Sequence, residues 1–154
     1  MKALFVCHGN IERSASAEII AKQLYPHWNT RSCGVAATPG RITGKKMRTA
    51  LAEKGFLPTA NKEHGIRSSQ ITQDDIDWAD RVFYMDGGNE RRLFAQFGKV
   101  SHAQRLSDYV EGANTVPNPG RCNDLSQHLR IVDMIVEAFP KIIDIPFSWN
   151  TEDF

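Results

Sequence analysis

Short continuous apolar runs alternate along the chain with stretches whose apolar residues recur every three or four positions. That alternation predicts strands and helices in turn. Ala3-Leu4-Phe5-Val6 is β-prone and unbroken, as a strand buried on both faces of a parallel sheet would be. From Arg13 onward Ala17, Ile20, Ala21 and Leu24 fall at helical spacing. Thr30 to Val35 reads as a second strand. Lys45 to Lys54 reads as a helix stopped by Gly55. Thr72-Gln73-Asp74-Asp75 has the form of a capping box opening a short helix through Ala79. Arg81 to Met85 follows as a third strand, Asn89 to Phe97 as a helix and Lys99 to His102 as a short last strand. A final amphipathic helix spans Asp124 to Phe139, with Leu125, Leu129, Val132, Ile135, Val136 and Phe139 as its apolar stripe. Leu57 to Ser69 is polar and mixed and reads as loop, and Ser107 to Asn123 is rich in turn residues. The order is that of βαβ units and predicts an α/β fold with a parallel sheet.

Composition narrows the class. A chain of 154 residues is long enough for one domain with a real core. The net charge of +1 suggests neither a nucleic-acid nor a membrane partner. Three cysteines without paired spacing fit a reducing, cytoplasmic compartment, and the five-residue apolar run near the start is too short for a signal peptide. No carboxylate–histidine cluster has metal-ligand spacing, so no metal is expected. The tail from Pro140 to Phe154 holds three isoleucines, two phenylalanines and a tryptophan, too apolar for a plain disordered end. The expected layout is a domain over 1–139 with a tail over 140–154 packed on it. A contact of that tail with another protein or a second copy is the other reading, and the oligomeric state is undetermined.

Chemistry concentrates where the first strand runs into the first helix, at Cys7-His8-Gly9-Asn10-Ile11-Glu12-Arg13-Ser14. A cysteine and an arginine six positions apart form a weak pattern alone. A strand before, a helix after, and Gly, Asn and Ser between them are independent requirements that strengthen it. Gly9 is expected to supply unusual dihedrals, and Asn10 tolerates a left-handed one. Successive N–H groups at a helix start make an anion nest, and the same field favours thiolate over thiol at Cys7. Arg13 can clamp two phosphoryl oxygens, and Ser14 can donate its hydroxyl to the thiolate. Together they suit covalent catalysis through a phosphocysteine.

Val6 to Ser14 resembles the signature of the low-molecular-weight protein tyrosine phosphatases, V-C-x-G-N-I-C-R-S-P. The likeness continues at Ser32 to Val35, at Gly65 to Thr72, at Tyr84 to Asn89, and at Val116-Pro117-Asn118-Pro119, where the family has V-x-D-P. The resemblance implies a three-layer α/β/α sandwich around a central four-stranded parallel sheet of flavodoxin-like type. It implies hydrolysis of phosphotyrosine in proteins, or of small aryl phosphates, without a cofactor. Cys7, Arg13 and the 118 position would be catalytic, and the loop His8, Gly9, Asn10, Ile11, Glu12, Arg13 and Ser14 would bind phosphate. Ile11 stands where the related arginine phosphatases carry threonine, and isoleucine goes with phosphotyrosine enzymes. Arsenate reductases share the loop but need two late cysteines close together, whereas Cys33 and Cys122 are far apart.

Three departures bear on mechanism. Asn118 replaces the aspartic acid that protonates the leaving oxygen, and an amide has no proton to transfer. It can also simply hold a turn before Pro119. Asp124 is either a substitute acid or the cap of the last helix. Glu12 replaces a second cysteine that could protect the nucleophile as a disulfide. Its carboxylate is expected to turn outward, toward a basic neighbour, rather than to act in catalysis. Aromatic wall residues are replaced by Gly120-Arg121-Cys122 and by Ala37, Thr38, Arg41 and Ile42. Arg41 and Arg121 either attract acidic phosphopeptides or are solvated surface charges, and the His8 side chain can face the anion or point away. Two functions follow: a working phosphatase with weakened acid catalysis, or an impaired phosphate-binding module on the same fold.

Overall fold

The computed structural model describes residues 1–119 and 124–144. The sheet comprises β1 (Lys2–Cys7), β2 (Asn29–Gly34), β3 (Arg81–Tyr84) and β4 (Ala103–Arg105), all parallel, in the order β2-β1-β3-β4. The helices are α1 (Arg13–Leu24), α2 (Lys45–Glu53), α3 (Gln73–Trp78), α4 (Gly87–Phe97) and α5 (Leu125–Asp144).

Period-two alternation along β1 divides the core into two halves. Ala3, Phe5 and Cys7 face the side of α1, α2 and α5, and Leu4 and Val6 face α3 and α4. That is why the run reads as continuously apolar. The first half is aromatic, with Phe5 stacked on Phe83 at 5.7 Å between ring centroids and tilted against Phe139 of α5 at 5.6 Å. The fold is the expected three-layer α/β/α sandwich.

Most predicted elements fall within a residue or two of those observed, and Thr72 forms the capping box with Asp75. Three differ for identifiable reasons. The last strand is Ala103–Arg105 rather than 99–102. Val100, which supplied the apolar signal, packs into the second half of the core ahead of the strand, and the strand itself pairs only with β3 at the sheet edge. Leu24 extends the apolar pattern of α1 but is 44% exposed. Finally, α5 continues through Pro140 to Asp144, with Ile142 buried in the core. The boundary expected at 139/140 thus lies inside a helix, and the tail beyond Asp144 lies outside the described residues.

In an open parallel sheet, ligands bind beyond the carboxyl ends of the strands where the strand order reverses. Here that point lies between β1 and β3. The end of β2 closes on it so tightly that a Cβ on Gly34 would sit 2.6 Å from the His8 carbonyl oxygen and 3.0 Å from Gly9 C. The same approach lets Val35 N–H and Ala36 N–H donate to the Cys7 and His8 carbonyls at 3.0 and 2.9 Å. Gly34→Ala should therefore cost about 1–3 kcal/mol of stability through overpacking against backbone. Chemical denaturation checks this, and an unchanged midpoint would contradict it.

Candidate active site

The Cys7–Ser14 loop is shaped by Asn10, which has φ of 57° and is the one non-glycine residue with positive φ among the described residues. Gly9, expected to supply unusual dihedrals, is not among the glycines with positive φ, and a Cβ there would meet only Ile11, at 3.8 Å. The strain falls on Asn10 because its side chain can offset it with hydrogen bonds. Its amide donates to Ser14 Oγ at 2.8 Å and Ser32 Oγ at 2.9 Å, and its carbonyl oxygen accepts from Ser69 N–H at 2.9 Å. Its own N–H points at Cys7 Sγ, 3.3 Å away.

Ser14 Oγ lies 3.0 Å from Cys7 Sγ. Because it accepts from Asn10, its hydrogen is left for the sulfur or for the Cys33 carbonyl at 3.3 Å. Ser32 passes the chain on by donating to Glu18 at 2.8 Å, and Glu18 pairs with Lys22 near the surface. Cys33 itself is a buried free thiol whose pKa burial pushes well up, as suits an inert core residue.

Arg13 is the largest fully buried side chain in the described residues. Its Nη1 donates to Asp86 Oδ2 at 2.7 Å and to the Val116 carbonyl at 3.0 Å. Nε and Nη2 have no protein acceptor among the described residues. Asp86 caps the start of α4 through Asn89 N–H at 2.7 Å, so one carboxylate opens a helix and fixes the arginine. Burial disfavours its charge, but the Arg13 and Asn89 hydrogen bonds outweigh that and hold its carboxyl below the ordinary range. Val116 N–H in turn bonds to the Met85 carbonyl at 3.0 Å, which anchors the segment carrying Asn118 to the end of β3.

These elements enclose a cavity of about 170 Å³ lined by Cys7, His8, Gly9, Ile11, Glu12, Arg13 and Asn118. Six of the residues expected from the sequence thus meet at one site with Asn118, while the exposed His8 sits at its wall. Asn10 and Ser14 lie behind the cavity as supports. Asp124 is fully exposed at the start of α5, accepts from Ser126 N–H at 2.9 Å and is held ionised by that bond, as a cap. Arg41 is exposed, and Arg121 and the rest of 120–123 lie outside the described residues.

Glu12 departs from expectation. Its side chain does turn toward bases, yet inward: it is only 18% exposed, with Oε2 3.7 Å from Nε2 of the buried His128 on α5. Burial pushes its pKa up to about 7 against the opposing charge of Arg48. Sequence reasoning assigned no role to His128, Asp86, Ser32, Glu18 or Ser69. Only the Asp-x-x-Asn pattern of a helix cap after β3 offered a local signal for Asp86.

The sequence profile of the family described as low molecular weight phosphotyrosine protein phosphatase matches residues 2–145. The chain therefore belongs to that family of phosphatases. It is 34% identical to the low molecular weight protein-tyrosine-phosphatase PtpB of Staphylococcus epidermidis over 119 residues, covering 77% of this chain and 81% of that protein. It is 32% identical to PtpB of Staphylococcus aureus over 146 residues, covering 94% and 99%. Among solved structures, the YwlE arginine phosphatase from Geobacillus stearothermophilus matches at TM-score 0.76 and 26% identity, with 93% of each chain covered.

Removing the Asp86 carboxylate strands Arg13. Asp86→Ala should cost on the order of 1–2 kcal/mol at pH 7, between the values for exposed and for fully buried pairs, because Asp86 is partly exposed. A folded-state pKa below the unfolded 3.8 gives stability that is present above 3.8 and lost as pH falls through the folded value. The gap between the two proteins in urea denaturation should accordingly narrow below about pH 3.8. A gap constant down to pH 2 would contradict the pairing.

Proposed function

We propose that the protein is a cysteine-dependent phosphomonoesterase that hydrolyses phosphotyrosine in proteins, or small aryl phosphates, through a phosphocysteine, with weakened general acid catalysis. The observation that supports this reading is that Cys7 lines a cavity together with the doubly anchored Arg13.

In the first step the Cys7 thiolate attacks phosphorus, an S–P bond forms, and the P–O bond to the aryl group breaks. Arg13 and the loop N–H groups take the charge on the non-bridging oxygens. The departing oxygen needs a proton, which Asn118 cannot give, so good leaving groups go faster than phenolate. In the second step water attacks phosphorus and the electron pair of the S–P bond returns to sulfur. Ser14 stabilises the thiolate as it leaves. Ile11 in the cavity wall supports phosphotyrosine over phosphoarginine, since isoleucine at this place resembles the tyrosine-directed members. The likeness to a solved arginine phosphatase makes phosphoarginine the competing substrate to test.

Cys7→Ser should abolish turnover of a phosphotyrosine peptide. Asn118→Asp should speed that peptide by about 10²-fold, the lower end of general acid catalysis, while changing an activated aryl phosphate little. Steady-state kinetics on both substrates checks this. Equal acceleration of the two would remove Asn118 from the acid position, and no turnover despite phosphate binding would make the protein a phosphate-binding module. Faster hydrolysis of phosphoarginine than of phosphotyrosine would overturn the substrate assignment.

A further inference from the structure

Glu12 places a carboxyl group in the wall of a cavity read here as the seat of a doubly negative phosphoryl group. Its Oε2 is buried and has no hydrogen-bond partner among the described residues. The carboxyl end packs against Gly44, ahead of α2, where any Cβ would collide with it. The charged and titratable groups around it are Arg48 from α2, His128 from α5, and Cys7, His8 and Arg13 from the loop and α1.

Arg48 does not pair with Glu12. Its Nε donates to the Ala60 carbonyl at 2.9 Å and its Nη1 to the Thr43 carbonyl at 2.5 Å, so it acts on Glu12 only through its field. Arg13 bonds through Nη1 to Asp86 and Val116, and its ion pair among the described residues is with Asp86, not Glu12. That leaves His128. Its Nδ1 lies 3.2 Å from the Asp124 carbonyl, an acceptor only, so Nδ1 carries hydrogen and Nε2 is the ring atom turned to Glu12. One proton placed on Glu12 Oε2 or on His128 Nε2 makes the pair neutral overall, and the two atoms lie 3.7 Å apart with Oε2 and the imidazole both buried.

Resting on the reading of the loop as an oxyanion site, we propose that the Glu12–His128 pair holds a proton on Glu12 whenever a dianion occupies the loop, so that oxyanion binding is coupled to proton uptake. An ionised carboxylate beside a bound dianion is a like-charge contact in a poorly solvated place, and binding must either repel the anion or capture a proton. Glu12 is thereby a binding-site residue that sets the charge of the cavity. The sign follows from a carboxyl that titrates near 7. Below that range Glu12 is already neutral and affinity is flat. Above it each bound dianion must take up one proton, and affinity falls toward tenfold per pH unit.

Sulfate tests this, because it stays a dianion throughout pH 5–9 and any pH dependence belongs to the protein. Its binding is measured by calorimetry in Cys7→Ser, which removes the thiolate, and in Cys7→Ser/Glu12→Gln, whose amide imitates the protonated acid. The first protein should lose sulfate affinity steeply above about pH 7, and the second should bind with little pH dependence across the range. His8 remains in both proteins, so a slope that His8 carried would survive the Glu12→Gln exchange. A slope undiminished in the double variant, or flat binding in both, overturns the proposal and leaves the phosphatase reading intact. Failure of sulfate to bind at any pH overturns the oxyanion-site reading and this proposal together. Should the glutamine variant not fold, Cys7→Ser/His128→Gln removes the facing imidazole. The pH at which affinity begins to fall should then move downward, because the ring nitrogen that accepts the carboxyl hydrogen is gone, and an unmoved midpoint overturns the pairing.

Discussion

The left-handed backbone of Asn10 is the constraint on which the rest of the site depends. A non-glycine residue with φ of 57° is strained, and it persists only where the surroundings over-determine it. Here the surroundings are three hydrogen bonds from one side-chain amide, to Ser14, to Ser32 and from Ser69 N–H. They tie the loop to the start of α1, to β2 and to the segment before α3. Because the strain is absorbed at Asn10, the thiol of Cys7 can lie against both the Asn10 N–H and the Ser14 hydroxyl.

The loop is therefore held by a network of buried polar groups behind the cavity. Such networks are favourable only when nearly every member is satisfied. Most are: Asn10 uses both ends of its amide, Ser32 both accepts and donates, and Arg13 is fixed by two acceptors that belong to different loops. Glu12 Oε2 is the exception, a buried oxygen with only an imidazole 3.7 Å away. An unsatisfied group at the edge of a cavity is a natural place for a proton to come and go.

How much of this was readable from the chain depended on whether a feature is local. The Cys-to-Ser loop, the capping box at Thr72 and the helical stripe of α5 all lie within a few residues of themselves, and their spacing is enough to find them. The contacts of Arg13 with Asp86 and Val116 span 73 and 103 residues, and no periodicity records them. His128 has the same difficulty, because on a helical wheel it is one more side chain near an apolar stripe. β4 was misplaced since its three residues are half-buried at the sheet edge and carry no apolar pattern of their own. Family resemblance located Asn118 and Glu12, but not the inward turn of Glu12, which follows from where α2 and α5 leave space.

The central claim is that the loop held by Asn10 presents Cys7 as the atom that takes the phosphoryl group. Rapid denaturation of the enzyme during turnover of an activated aryl phosphate, followed by mass analysis of the Cys7 peptide, tests it most directly. The account predicts a phosphoryl group on Cys7 during turnover and none once substrate is exhausted. Steady turnover with no phosphoryl group on Cys7, or a phosphoryl group on another side chain, would contradict it.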